Sequence, residues 1–300
     1  MYPVLFELGD FPLRSFGVMV AVGFLVGAHI WGRLMFRHGQ DPMKDPERVS
    51  AVTMAVLVGV LAGGRLMYVL VELLRYWSSG DAGSVGAGYA ADPLSVFFVW
   101  EGGLVMYGGF FGAIGLGLLS ARKHGLDPRN ALDTGLVAGF FGQSIGRVGC
   151  LLVGDDHGSV VSEAWAHLPF PITLTVPDEA WFAANPESLL PIEHAGEVLW
   201  ATQPWMTVNA LLIGLGGLVL LRRRRFMGQA SLQLIAWYAV TRFVIEAFRG
   251  DDIRGVWFGG LSTSQLISVV GGVTALVLLW RLRGFREPAP GSPASADATP

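Results

Sequence analysis

The sequence predicts an all-α polytopic membrane protein: seven transmembrane helices, amino terminus outside, carboxyl terminus in the cytoplasm, and a small cap on the outer face. Three observations carry that prediction. The 300-residue chain is 52% hydrophobic and 15% charged, with a mean hydropathy of +0.49, too oily for a soluble domain that must coat itself in polar side chains. Apolar stretches long enough to cross roughly 30 Å of hydrocarbon, about 20 residues each as helix, recur along the chain. Lys and Arg collect in alternate connections, as they do where basic loops stay in the cytoplasm.

The apolar segments fall at approximately 15–32, 51–74, 94–121, 132–153, 204–221, 229–248 and 262–280. The first is expected to be retained rather than cleaved as a signal peptide, because no Lys or Arg precedes Arg14 to form a basic amino-terminal region. The third is interrupted by Trp100, Glu101, Gly102 and Gly103 before its apolar run resumes. One set of connections holds Arg33, Arg37, Lys44 and Arg48, then Arg122, Lys123 and Arg129, then Arg222 to Arg225, and finally Arg281, Arg283 and Arg286. That set has fourteen of the 21 basic residues. The opposite set has Arg14, Arg75, Arg249 and Arg254. An odd number of crossings with an outside amino terminus follows. The run Arg222 to Arg225 then reads as a cytoplasmic anchor on anionic lipid.

Between the fourth and fifth spans, residues 154–203 form the longest polar excursion, with Pro169, Pro171, Pro177 and Pro186 among aromatic residues. They read as an ordered insertion within a transmembrane domain covering 1–286. From Glu287 to Pro300 the Pro, Ala and Ser bias is that of a solvated, disordered tail. The 41 glycines, many inside spans, indicate close helix approach. Cys150 is the single cysteine, so an intrachain disulfide is excluded. The net charge of −3 is uninformative by itself, and the asymmetry between the two membrane faces carries the signal instead.

Arg65, Arg147 and Arg242 lie inside predicted spans, where a charged side chain costs several kcal/mol and needs a partner. Arg242 and Glu246 are four residues apart on one helical face, and Arg249 continues the stripe. Either a structural ion pair or a ligand-binding device fits that stripe. Arg65 follows Gly63 and Gly64, and Arg147 sits between Gly146 and Gly149, so bulk is stripped away beside both guanidiniums. Guanidinium groups grip phosphates through paired planar hydrogen bonds and keep their proton when buried. Several arginines in the outer half of the membrane suit a phospholipid head group.

These residues resemble a known family. GRVGCLLVGDDHG at 146–158 is similar to the signature of the prolipoprotein diacylglyceryl transferases: Gly, Arg, any, Gly, Asn, Phe, apolar, Asn, Gly, Glu, two more, Gly. WEGGLVMYGG at 100–109 resembles the family's Trp, x, Gly, Gly, x, x, x, His, Gly, Gly segment, and RFVIEAFR at 242–249 its late Arg, x, x, x, Glu, x, x, Arg helix. SFGVMVAVGF near the start, AGGRLMYVL at 62–70 and ATQPW at 201–205 follow the expected order, so the likeness covers about 10–285. Departures accompany it. Tyr107 stands where the family commonly has a histidine regarded as catalytic, Cys150 and Val153 replace asparagines, Asp155 a glutamate, Phe16 a tyrosine, and Met206 a common glutamate.

The resemblance implies transfer of the diacylglyceryl group of phosphatidylglycerol to the lipobox cysteine of a lipoprotein precursor, in a bacterial inner membrane with the cap in the periplasm. It implies no cofactor and no nucleic-acid partner. Tyr107, Arg147, Arg242 and Glu246 become the catalytic candidates, and Arg65, Arg147, Gly149, Cys150, Asp155, Gly158, Arg242 and Arg249 the lipid-binding ones. Tyrosine, with a pKa near 10, is a poor base unless arginines depress it, so Tyr107, Glu246 and Asp155 all remain candidates for taking the thiol proton. Asp155, Asp156 and His157 are adjacent in sequence and do not readily converge on one metal ion. Three other classes share some of these features: a lapsed homologue that binds phospholipid, a lipid transporter, and a serine hydrolase using the GQSIG sequence at 142–146. The last requires a strand-to-helix turn, whereas Ser144 falls in an apolar helix.

Overall fold

The computed structural model describes residues 1–8, 11–81, 83–98, 103–250 and 261–285. Trp100, Glu101, Gly102, Arg254, Arg286 and the tail 287–300 lie outside the described residues. In chain order the elements are β1 (Val4–Leu8), β2 (Phe11–Arg14), α1 (Ser15–His38), α2 (Asp45–Ser79), α3 (Val85–Ala91), α4 (Met106–Lys123), α5 (Pro128–Val153), β3 (Thr173–Thr175), α6 (Glu179–Ala184), β4 (Val198–Trp200), α7 (Thr202–Arg223), α8 (Gln229–Glu246) and α9 (Thr263–Leu282). Short 3-10 turns occupy Pro93–Phe97 and Ile192–His194. The chain is therefore mostly helical. Among the described residues, α1, α2, α5, α7 and α9 are long and apolar enough to cross a bilayer. The outward faces of α1, α2, α7 and α9 carry exposed Leu25, Leu66, Leu212, Val270 and Leu276, which water would penalise and hydrocarbon accepts.

The chain divides into two units, Met35–Leu132 and the remainder, with boundaries inside α1 and α5. Within Met35–Leu132, α2 and α4 pack backbone against backbone. Gly59 and Gly63 on α2 face Gly112 and Gly108 on α4, and a Cβ at any of the four would run into the opposing main chain. This is small-xxx-small packing on both partners, where missing side chains let dispersion contacts form along the whole crossing. At the other end of α2, Asp45 is buried and its Oδ2 accepts the backbone N–H of Gln40 at 2.7 Å and of Asp41 at 2.9 Å. Its Oδ1 pairs with Arg48 at 3.0 Å, so the acid holds both the incoming turn and the helix start, the end where negative charge is favoured.

In the larger unit, α1 lies close along α5. Gly23 and Gly142 oppose one another through their backbones, and a Cβ on Gly149 would meet Met19 Cβ at 3.0 Å and Phe16 Cα at 3.3 Å. A core of Leu34, Val137, Ala138, Phe140, Ala210, Ile213, Leu221, Ala230 and Leu234 joins α1, α5, α7 and α8. At the start of α5 the fully buried Asp133 gathers the α7–α8 connection. It pairs with Arg224 Nη1 at 2.9 Å and accepts the Gly228 N–H at 2.9 Å and the Ser231 N–H at 2.7 Å. One member of the basic run 222–225 is thus a buried tether: the Arg224 side chain is 7% exposed.

The sequence signalled no strands, yet β1 and β2 form an antiparallel hairpin ahead of α1. It is tied down by Tyr2 N–H to Leu152 O at 2.9 Å and by Arg14 to Glu187 at 2.8 Å. Residues 154–203 carry their own small core of Val176, Phe182, Leu190 and Leu199 beneath the antiparallel pair β3–β4.

Candidate active site

The α5 helix brings Arg147 and Cys150 onto one face, three residues apart, and ends at Val153. Gly154, at φ 82°, closes the helix in the left-handed conformation that glycine supplies without strain. The N–H groups of Gly154 and Asp155 both return to the Cys150 carbonyl, at 2.9 and 3.0 Å. The loop therefore turns straight back over the end of α5. Asp156 follows at φ 56°, the one non-glycine residue with positive φ among those described. The first turn of α7 pins the loop: Thr202 Oγ1 donates to the Asp156 carbonyl at 2.8 Å and Gln203 Nε2 to the Asp155 carbonyl at 3.0 Å.

Held this way, the Asp156 carboxylate bridges two arginines. Its Oδ2 pairs with Arg147 and its Oδ1 with Arg249. On α8, Arg242 Nη2 pairs with Glu246 Oε2 at 2.7 Å, and Arg249 Nη1 approaches the same oxygen at 4.0 Å. Ser262, the N-cap of α9 in a full capping box, donates its hydroxyl to Glu246 Oε1 at 2.9 Å. Arg242 also reaches Ser264 Oγ at 3.4 Å and the Met206 thioether at 3.9 Å. Three guanidiniums thus share one pocket of charge with the buried Glu246 and with Asp156. Burial opposes ionisation of Asp156, but Arg147, Arg249 and Arg242 together outweigh it and hold the carboxyl below the usual carboxylate range.

Gly158 owes its identity to backbone crossing. The segment 157–159 bridges 248–250, with Ser159 N–H to Phe248 O at 2.8 Å and Gly250 N–H to His157 O at 3.2 Å. A Cβ on Gly158 would strike the Trp200 main chain. That crossing places Arg249 beside the loop. Gly149 serves the α1–α5 contact. Cys150 is buried, its Sγ 3.7 Å from Asp156 Oδ2 and 4.0 Å from Arg147 Nη1.

Two candidates lie in the other unit. Arg65 is 3% exposed; its Nε donates to Val96 O at 2.9 Å and its Nη2 to Ser95 O at 2.8 Å, and its guanidinium lies 5.9 and 5.4 Å from the ring centroids of Tyr68 and Tyr89. There it acts as a clasp between α2 and the segments after it. Tyr107 is half-buried in the first turn of α4.

Asp156 is the residue that sequence reasoning left off the site, because its position in the family signature is unspecified and an exposed loop end is the ordinary place for an acid. Tyr238 is another: its hydroxyl accepts from Gln143 Nε2 at 3.3 Å, one turn before Arg242 on α8. The i, i+4 spacing of Tyr238 and Arg242 was the available signal. Cys150 Sγ and carboxylate oxygens of Asp155 and Asp156 lie within 4.8 Å of one another. A cation among them would compete with Arg147 and Arg249 for Asp156. His157 points elsewhere, toward the Gly158 carbonyl and the His194 ring. Ser144, inside α5, donates to the Phe141 carbonyl at 2.8 Å, which leaves no strand-to-helix elbow there.

The fold and this constellation define a multi-pass helical membrane protein with a cluster of buried arginines at one end of its helices. A family model described as prolipoprotein diacylglyceryl transferase matches residues 3–281. The chain belongs to that family and is an enzyme of the diacylglyceryl transferase class. It is 31% identical to the phosphatidylglycerol–prolipoprotein diacylglyceryl transferase of Geobacter sulfurreducens, over 93% of this chain and 95% of that one. Identity to the enzyme of the same name from Burkholderia thailandensis is 32%, covering 96% and 97%, and to that from Vibrio vulnificus 28%, covering 95% and 94%.

Proposed function

We propose that the chain transfers the diacylglyceryl group of phosphatidylglycerol to the thiol of the lipobox cysteine of lipoprotein precursors, releasing glycerol phosphate. It does so in a bacterial inner membrane, with the cap in the periplasm and the carboxyl terminus in the cytoplasm. In addition to the five apolar helices, α4 and α8 complete seven crossings; 18 residues each reach about 27 Å at the helical rise.

The observation that carries this reading, beyond the relatives, is the gathering of Arg147, Arg242 and Arg249 around two carboxylates, Asp156 and Glu246, with Arg249 facing both. In the reaction the precursor sulfur bonds to the glyceryl carbon, the carbon–oxygen bond to phosphate breaks, and the thiol proton goes to a base. Charge builds on the departing phosphate oxygen. Fixed guanidiniums stabilise that charge more than the ground state and so lower the barrier. Glu246, engaged by Arg242 and Ser262, holds the clamp in position; Tyr107 or Asp155 takes the proton.

Purified protein is incubated with phosphatidylglycerol and a lipobox peptide, and the peptide mass is followed. A diacylglyceryl adduct is expected, and Arg147→Ala should reduce its rate by about 10²–10³-fold, the usual cost of removing a charge-stabilising donor. The substitutions at 107, 150 and 153 favour a second reading, a lapsed homologue that binds the lipid alone. Lipid-dependent thermal stabilisation without adduct would select it.

A further inference from the structure

We infer that Asp156 is an internal counter-ion seated where the substrate phosphate binds, so that the lipid head group enters by displacing this side chain. The inference rests on the transferase reading above. A carboxylate that gives one oxygen to Arg147 and the other to Arg249 has the bridging geometry with which a phosphate diester offers its two anionic oxygens to paired guanidiniums. The structure thus has the seat filled from within.

Three observations make Asp156 the movable member. Its side chain is 19% exposed, against 14% for Arg147 and 5% for Arg249, so it has the shortest way to water. Its backbone is fastened by Thr202, while Gln203 and the Cys150 carbonyl fasten Asp155 beside it, so displacement requires only rotation of the side chain. The second acid of the cluster is differently placed: Glu246 is 4% exposed and is engaged by Arg242 and by the Ser262 hydroxyl. It stays as the fixed partner. A buried guanidinium is costly unless an anion faces it; Arg249 also has Glu246 at 4.0 Å, whereas Asp156 is the carboxylate that pairs with Arg147 and supplies its anion until lipid arrives.

The competition has a measurable consequence. Removing the charge while keeping the shape, by Asp156→Asn, should lower KM for phosphatidylglycerol about tenfold, the scale of one lost charge competitor, with a smaller change in kcat. Inorganic phosphate and glycerol phosphate should stabilise Asp156→Asn thermally at about tenfold lower concentration than wild type. Asp156→Glu, which keeps the charge, should show neither gain: its KM for phosphatidylglycerol should not fall, and it should not be stabilised at lower anion concentrations than wild type. The soluble anions report on the seat without turnover, so a failure of the transfer reaction is distinguishable from a failure of this inference. Phosphate and glycerol phosphate responding while the lipid does not would assign the seat to a free anion and overturn the lipid displacement. If Asp156→Asn and Asp156→Glu are equally impaired, with raised or unchanged KM and no gain in anion binding, Asp156 is a structural tie and the inference is wrong.

Discussion

Asp156 shows how one side chain can set the electrostatics of a site. Its carboxyl is held below the usual range by Arg147, Arg249 and Arg242 in spite of burial. A depressed folded pKa gives stability that is complete above the unfolded value, about 3.9, and disappears as pH falls through the lower folded value. The thermal midpoint of detergent-solubilised wild type should therefore fall more steeply than that of Asp156→Asn once pH drops below about 4. Parallel curves would mean that these ion pairs contribute nothing to folding. Tyr107 invites a separate test: Tyr107→Phe removes the hydroxyl alone, so a large loss of kcat in the peptide assay assigns it the proton, and near-normal turnover leaves Asp155. Buried arginines were legible from the sequence because any charge inside an apolar run demands a partner, and the Arg242–Glu246 spacing named one correctly. Asp156 was not legible as the partner of Arg147 and Arg249. A pairing between residues 93 apart depends on how the loop after α5 turns, and helical periodicity does not encode that.

Helix ends and helix contacts were legible to different degrees. Apolar run length located α5, α7, α8 and α9 within a few residues, whereas α1 continues to His38 and α2 runs from Asp45 to Ser79, beyond the expected 15–32 and 51–74, because polar turns extend past the oily centre. The expected span 94–121 is helical only from Met106, with a 3-10 turn at Pro93–Phe97 ahead of it. The β1–β2 hairpin escaped detection: strands of five and four residues are too short for an alternation pattern to stand out. Glycine content signalled close packing, but only coordinates show which glycines meet. Gly59 and Gly63 against Gly112 and Gly108 make α2 and α4 a sterically exclusive pair. Gly112→Leu should destabilise the protein by about 1–3 kcal/mol or more through overpacking, read as a lower thermal midpoint. Gly115→Leu, on the same helix with open space at its Cβ, should be nearly neutral. Gly149→Leu should act like Gly112→Leu, by separating α5 from α1, and so lower activity through stability.

Across the whole molecule, charge is concentrated at the two ends of the helices and each concentration is built differently. Around Asp133 the charges are complete: one acid, fully buried, satisfied by Arg224, Ser231 and the Gly228 amide. Asp133→Ala should cost about 3–5 kcal/mol, since it strands a buried arginine, and the loss should be nearly independent of salt because the group is shielded from solvent. The other end, with Arg147, Arg242 and Arg249, is poised to exchange one anion for another. The long spacing within that cluster also orders its assembly. Arg147 and Asp156 leave the ribosome almost together, whereas Arg249 and Ser262 emerge only after α7 and α8 have been synthesised. On the proposed reading, a nascent chain still in the translocon has half a clamp, and the phosphate seat is complete only once its penultimate helix is in place.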